Sequence, residues 1–224
     1  LFSLIFLLSK TQLIKESYKK TILFYVTLKQ SMALFVSLLM ATIVNYADKI
    51  VILAIFGGYF VSVYYTSTIF GKLIIMAITP LTGVALSYLV KTPKISVNIF
   101  VKIIISLVLF GFIGYFATIA LTPFLIRSLY SEWADESIKI IPLTTGTAVF
   151  TAFSIVLNTL VMRFNKMSSQ IYINLYSIIF HIAFVSIFTM IYDFKGFLYG
   201  MLVGSILKCL LIIKVFLTKN SLSN

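Results

Sequence analysis

The stretch Asn45–Pro80, NYADKIVILAIFGGYFVSVYYTSTIFGKLIIMAITP, decides the architecture of this 224-residue chain. It predicts two membrane-spanning helices joined by a tight, uncharged turn at Gly57-Gly58-Tyr59. Asp48 lies nine residues before the turn, and Lys72 lies ten residues after position 62, where the second span is expected to begin. At about 1.5 Å per residue, both charges lie roughly 14–15 Å below the turn, near the middle of a bilayer core of about 30 Å. Because charge at that depth usually faces a partner or a wet cavity, we expect this hairpin to be the functional centre.

The composition predicts a lipid environment. Hydrophobic residues make up 61% of the chain, charged residues make up 11%, and the mean hydropathy is +1.10. A soluble domain of this size could not bury so much apolar surface, so the lipid bilayer is the first predicted partner. The formal net charge of +12 does not indicate nucleic-acid binding, because the basic residues cluster between apolar runs as they do in cytoplasmic loops. The single cysteine, the lack of a Cys/His cluster and the lack of a GxxxxGK[ST] motif predict no metal or cofactor.

Six apolar runs are each long enough to cross a bilayer as a helix. They cover residues 32–56, 62–90, 98–122, 141–162, 171–192 and 196–217. Residues 1–9 are too short to span and are expected to be the tail of a truncated transmembrane helix. Residues 10–31 read as a basic, amphipathic cytoplasmic connector, and residues 218–224 as a cytoplasmic tail. The predicted fold class is an all-α polytopic membrane protein, with six transmembrane helices and the end of a preceding one.

The distribution of lysine and arginine predicts the orientation. If the spans alternate, thirteen basic residues fall on the side of the connector and the C-terminus. Lys208 lies well inside the sixth span and belongs to this side if it snorkels outward. The other side holds Arg127, Lys139 and Lys195 together with acidic residues, and includes an external segment Pro123–Ile140. The connector and the C-terminus are therefore predicted to be cytoplasmic.

Polar residues on the first two spans fall on shared helical faces. Asn45 and Lys49 share a face of the first span, with Asp48 on the strip beside it, and Tyr65 and Lys72 share a face of the second. We hypothesise that Asp48 and Lys72 approach each other, either as a structural ion pair or in a substrate or coupling role. Lys49 has no obvious partner by spacing, which favours a water-filled cavity.

The fourth and fifth spans carry polar stripes at helical spacing. Their members are Thr144, Thr147, Thr151, Ser154 and Asn158 on the fourth span, and Gln170, Asn174, Ser177 and His181 on the fifth. Each stripe is either the wall of a hydrophilic lumen or a helix–helix seam, and the small hydroxyl residues favour a seam. Asn158, Asn174 and His181 are the lumen candidates, because amide and imidazole groups are costlier in lipid. His181 is either a proton relay or a hydrogen-bonded structural residue.

Proline and glycine positions predict bends and packing surfaces. Pro80 removes a backbone hydrogen bond inside the second span, so it is either a hinge or a static bend. Gly196, Gly200 and Gly204 form a GxxxGxxxG run on the sixth span, which predicts close helix packing and no chemistry.

The order of these motifs carries a family resemblance. The hairpin runs from Ala47-Asp48-Lys49 through Gly57-Gly58 to Val63-Tyr64-Tyr65, Lys72 and Pro80. Downstream follow Pro123-Phe124-Leu125, Asn165-Lys166 and Gly196-Phe197-Leu198-Tyr199-Gly200. The pattern resembles bacterial polysaccharide flippases of the Wzx type, in the superfamily of multidrug, oligosaccharidyl-lipid and polysaccharide exporters. Ser62 and Tyr65 stand where the family prefers other residues.

The resemblance implies a fold and a function. Such flippases have two similar helical bundles, and this chain resembles the second, so the first would be missing or separately encoded. The family moves lipid-linked oligosaccharide, of the undecaprenyl-pyrophosphate type, across the bacterial cytoplasmic membrane by alternating access during surface polysaccharide synthesis. The resemblance implies that Asp48, Lys49 and Lys72 line a cationic lumen, and that the chain is not an enzyme.

Three other functions are open to this sequence. One half of a drug or metabolite exporter would need an acidic lumen, which two lysines beside Asp48 disfavour. A membrane polysaccharide polymerase or acyltransferase would need larger loops or a paired acid and base. The chain could also be an inactive or split-gene fragment, because one bundle cannot rock against a missing partner.

Overall fold

The computed structural model describes residues 24–89, 95–165, 168–218 and 222–223. The helices of this part of the chain are α1 (Phe24–Phe56), α2 (Gly58–Leu89), α3 (Val97–Leu129), α4 (Ala134–Phe164) and α5 (Ser168–Thr218). A 3₁₀ turn (Ser131–Trp133) precedes α4, and two short strands, β1 (Ile95–Ser96) and β2 (Leu222–Ser223), pair in parallel. The predicted helical tail at 1–9 and most of the predicted connector lie outside the described residues, whereas residues 24–31 belong to α1.

One glycine separates α1 from α2. Gly57 has a backbone φ of +85°, a left-handed conformation that glycine adopts without strain, and α2 begins at the next residue. The predicted three-residue turn is therefore a single residue. Because α2 starts at Gly58 and not at position 62, Lys72 lies about one helical turn deeper below the turn than the sequence predicted.

The predicted external segment Pro123–Ile140 is largely helical. α3 continues through Pro123 and ends at Leu129, and α4 begins at Ala134 after a single 3₁₀ turn. Tyr130 forms the corner, where its backbone N–H donates to the carbonyl oxygen of Ile126 at 2.7 Å. Asp135 and Glu136 occupy the first turn of α4, where their negative charges stabilise the helix by interacting with the positive end of its dipole.

α5 folds back on itself at Tyr192 and Asp193. Tyr192 has φ −127° and ψ 17°, and Asp193 has φ 51° and ψ −133°, so neither residue is helical. Close contacts then run in opposite directions along the two arms, 168–191 and 194–218: Gly196 abuts Phe188, Gly200 abuts Val185, and Gly204 abuts His181. The glycine run of the second arm therefore packs antiparallel against the first arm; the GxxxGxxxG pattern predicted close packing but not this partner.

The core consists of buried apolar clusters, of which the two largest form layers near the two ends of the bundle and a smaller one joins α2 to α4. The layer near the turns joins α1, α2, α4 and the second arm of α5 through Ile52, Val63, Tyr64, Ile140, Phe194, Phe197 and Leu198. The layer at the other end joins α3, α4 and both arms of α5, and includes Phe100 stacked on Phe216 at 4.8 Å between ring centroids. α4 contacts α2, α3 and α5, so it is the central helix.

The outer surface is apolar. All five helices are long and apolar enough to cross a membrane, and large side chains such as Phe112, Phe124 and Met190 are exposed on it. Such a surface is stable in hydrocarbon and not in water. The chain is a helical, multi-pass membrane protein.

Candidate functional site

A cavity of about 350 Å³, lined by charged, hydroxyl-bearing and apolar side chains, lies between α1, α2, α4 and α5. Its lining residues are Tyr46, Asp48, Lys49, Tyr64, Thr68, Lys72, Ile75, Thr144, Thr147, Ala148, Thr151, Ile155, His181, Leu198, Met201, Ser205 and Lys208. On α4 and on the second arm of α5, these positions lie between the residues of the two apolar layers. The cavity is thus flanked by hydrophobic packing towards both ends of the bundle.

Asp48 is held at this cavity by donors from two helices. The Tyr64 hydroxyl of α2 donates to Asp48 Oδ2 at 2.8 Å, and the backbone N–H of Lys49 donates to Asp48 Oδ1 at 2.8 Å. Lys49 Nζ also lies 3.1 Å from Asp48 Oδ1, and the Asp48 side chain is only 9% exposed. A carboxylate buried to this degree is stable because both of its oxygens accept hydrogen bonds.

The pairing of these charges differs from the hypothesis drawn from spacing. Asp48 pairs with Lys49, so the prediction that Lys49 lacks a partner is wrong, and Asp48 and Lys72 form no ion pair within 4.0 Å between these described side chains. The reason is depth. Asp48 is nine residues before Gly57 and Tyr64 is seven after it, whereas Lys72 is fifteen after it and lies about 9 Å deeper than Asp48.

Lys72 nevertheless lines the same cavity as Asp48 and Lys49. Its ammonium lies 5.2 Å from the centroid of the Tyr65 ring, a cation–π distance. Tyr65 itself is 48% exposed and supports Lys72 from beside the cavity without lining it. Lys72 is exposed, so its ammonium is free to meet a ligand.

The two arms of α5 contribute His181 and Lys208 to the cavity wall. His181 Nδ1 lies 2.8 Å from the carbonyl oxygen of Ser177, and the His181 ring packs against Gly204. Lys208 lies one helical turn beyond Gly204 and lines the cavity, although the sequence placed its charge at the cytoplasmic surface. The sequence contained the signal for this position, because a lysine well inside a predicted span suggests a functional role for the same reason as Lys72.

α4 supplies the hydroxyl wall of the cavity. Thr144, Thr147 and Thr151 line it, and each hydroxyl also donates to a backbone carbonyl oxygen of its own helix. Thr144 lies 3.3 Å from the carbonyl oxygen of Ser67 as well, so it also joins α4 to α2. This stripe is therefore both a cavity wall and a seam, where the sequence favoured a seam alone.

Two predicted lumen residues belong to seams between helices. Asn174 is buried and donates from Nδ2 to Ser37 Oγ at 2.8 Å and to the Ser37 carbonyl oxygen at 2.9 Å, which joins α5 to α1. Asn158 accepts at its backbone oxygen from Gln170 at 3.5 Å, and neither Asn158 nor Asn174 lines the cavity. The Asn174 amide is therefore satisfied across a helix contact and needs no lumen, whereas Asn158 Oδ1 is buried and has no hydrogen-bond partner among the described residues.

The other two predicted residues concern α1 and the bend in α2. The side chain of Asn45 lies outside the part of the chain that the structure describes. α2 remains helical through Pro80, which is exposed, and the hydroxyl of Thr79 donates to the Ile75 carbonyl oxygen at 2.8 Å.

The charge balance of the cavity determines what it can bind. Three lysines and one aspartate line it, and Asp48 is already paired with Lys49. Within the described residues, no group of three or more His, Cys, Asp or Glu side chains is placed to hold a metal ion. The excess of ammonium groups favours an anion such as a phosphate, a carboxylate or an acidic sugar.

Comparison of the chain with models of protein families, with curated proteins and with solved structures found no match.

Proposed function

We propose that this chain is one helical bundle of a membrane transporter that moves an anionic, lipid-linked oligosaccharide across the bacterial cytoplasmic membrane. The observation that carries the proposal is the excess of lysine over carboxylate around a cavity between two apolar layers. Lysines inside a helical bundle lower its stability in lipid. Their grouping around one cavity therefore indicates a ligand of opposite charge. The oligosaccharide and its undecaprenyl pyrophosphate come from the resemblance to the flippases.

The shape of the cavity supports a lipid-linked substrate. Tyr46 at its rim is 64% exposed, and the exposed Lys72 lies on the same side of the hairpin. Apolar layers flank the cavity towards the ends of the bundle, so its open side faces laterally. A lateral opening admits a charged head group while an acyl or prenyl tail stays in the bilayer, and it gives a second bundle a polar face to cover.

Six crossings, with both described ends in the cytoplasm, fit this function. A straight helix of the 51 residues in α5 would be about 75 Å long, more than twice a bilayer core of about 30 Å. In the proposed arrangement, each arm of the fold-back is one crossing. The turns at Gly57, at 130–133 and at 192–193 then share the external side, where few lysines and arginines lie.

The experiment is a transport assay in a cell that produces this chain together with its first bundle. Lys72→Ala is expected to abolish surface polysaccharide at unchanged protein abundance, because Lys72 makes no ion pair among the described residues. Lys195→Ala is the matched control, since Lys195 is exposed near the α5 turn and does not line the cavity.

Two results would contradict the proposal. Normal polysaccharide in the Lys72→Ala strain would remove Lys72 from the transport path. Efflux of organic cations that depends on Asp48 would instead favour a drug exporter, and turnover of a lipid-linked sugar by the purified chain would favour a polymerase or an acyltransferase.

A further inference from the structure

Two of the three lysines that line the cavity contact groups of the chain itself. Lys49 Nζ lies 3.1 Å from Asp48 Oδ1 and 5.4 Å from the centroid of the Tyr46 ring. Lys72 lies over the Tyr65 ring at 5.2 Å. An anion that enters the cavity therefore meets Lys72, whose ammonium contacts only an aromatic ring, and Lys49, whose ammonium is already paired with a carboxylate.

The contacts of Asp48 and Lys49 are unequal. Asp48 keeps a donor on each oxygen when the Lys49 ammonium leaves, because the Lys49 backbone N–H serves Oδ1 and the Tyr64 hydroxyl serves Oδ2. Lys49 is a long side chain, 25% exposed, and its ammonium has no other carboxylate partner among the described residues. The carboxylate is thus fixed, and the ammonium can turn to another anion.

From this asymmetry we infer that Asp48 is a resident counter-ion, a built-in anion that occupies Lys49 when the cavity is empty and yields it to an anionic group of the ligand. The inference rests on the proposed function and specifies how the same cavity controls its affinity. Loading exchanges one oxygen anion for another at Lys49, so the Lys49 ammonium is paired both before loading and after release. Asp48 therefore weakens the binding of anions, whereas the lysines around it strengthen that binding. Anions that bind Lys49 weakly cannot displace Asp48 and are excluded.

A static structural pair predicts a different dependence on charge. If Asp48 and Lys49 only stabilise the hairpin, neutralising Asp48 changes stability and leaves anion affinity unchanged. If Asp48 competes with the ligand for Lys49, neutralising Asp48 tightens anion binding, and this gain requires Lys49. The two roles therefore separate in a double-mutant cycle on affinity.

The test measures pyrophosphate binding by calorimetry to the purified chain in nanodiscs of a neutral phospholipid. Asp48→Asn retains an oxygen acceptor for Tyr64 and is expected to tighten binding on the order of tenfold, the effect of about 1.4 kcal/mol. In a Lys49→Met background, the Asp48→Asn substitution is expected to change the affinity less than about twofold, because Asp48 and the ligand then have no Lys49 ammonium to compete for. Repeating the titration in nanodiscs with an anionic phospholipid identifies the source of the anion, since a lipid phosphate in the cavity weakens apparent pyrophosphate binding.

Each outcome decides the inference. If the wild type binds pyrophosphate and Asp48→Asn leaves that affinity unchanged or weakens it, the resident counter-ion is wrong. The anion-binding cavity is not contradicted by that result. A gain of the same size with and without Lys49 also overturns it, because Asp48 would then act only through the overall field. No pyrophosphate binding by the wild type or any variant overturns the anion cavity of the proposed function and the counter-ion with it.

Discussion

At the scale of single residues, Tyr64 fixes the position of the charge at the head of the cavity. It is buried, and its hydroxyl donates to Asp48 Oδ2 at 2.8 Å across the hairpin. Tyr64→Phe removes that donor and leaves a mostly buried carboxylate oxygen unsatisfied, so we expect a loss of about 1–3 kcal/mol of stability. Equilibrium unfolding in mixed micelles measures it, with Tyr59→Phe at the exposed turn as the control. Equal stability of both variants would mean that lipid or water replaces the Tyr64 donor.

Lys208 is predicted to oppose stability and serve function. It is half-buried at the cavity, and no carboxylate pairs with it among the residues that the structure describes. Lys208→Met keeps an unbranched side chain and removes the charge, so we expect unfolding free energy to rise by about 1–3 kcal/mol while pyrophosphate affinity falls. Lys214→Met, which replaces an exposed lysine outside this cavity on the same arm, controls for general charge effects. A less stable Lys208→Met protein would assign Lys208 a structural role.

At the scale of the helices, close packing of the two arms of α5 depends on glycine. A Cβ at Gly200 would lie 2.5 Å from the Cα of Val185, so Gly200→Ala forces the backbones apart. We expect it to destabilise the protein by about 1–3 kcal/mol, the usual effect of overpacking. Gly83→Ala is the control, because nothing lies within 4 Å of its Cβ position in α2, and it should be neutral or slightly stabilising. Matched losses in both variants would argue against a tight α5 hairpin.

The sequence predicted the helices well, and the pairing of charges less well, for a physical reason. Hydrophobic length and the GxxxGxxxG run depend on local composition, so the apolar helices and the packing surface of α5 were accessible without coordinates. The depth of Lys72 depended on the residue at which α2 begins, and an error of four residues moved it by about 6 Å. Asn174 found a partner, Ser37, 137 residues away in the chain, which no spacing rule identifies.

At the scale of the whole molecule, the polar cavity and the apolar surface make opposite demands on the surroundings. Exposed side chains on the outer faces of α1 and α3 suit hydrocarbon, whereas the exposed Lys72 and the rim of the cavity do not. Charge at that depth needs water or protein beside it. A second helical body over the open side of the cavity would meet both demands, and it is the same element that alternating access requires.

The arrangement of the chain across the membrane can be tested with single cysteines in a Cys209→Ala background. With six crossings and cytoplasmic ends, Ser131→Cys and Lys195→Cys are expected to react with a membrane-impermeant maleimide in intact spheroplasts, and Thr218→Cys only after permeabilisation. All three residues are exposed, so differences in labelling report the side of the membrane and not burial in the protein. Labelling of Thr218→Cys in intact spheroplasts would invert the orientation. Protection of Lys195→Cys beside a reactive Ser131→Cys would place the α5 turn inside the bilayer, where Lys139, Asp193 and Lys195 would have no water.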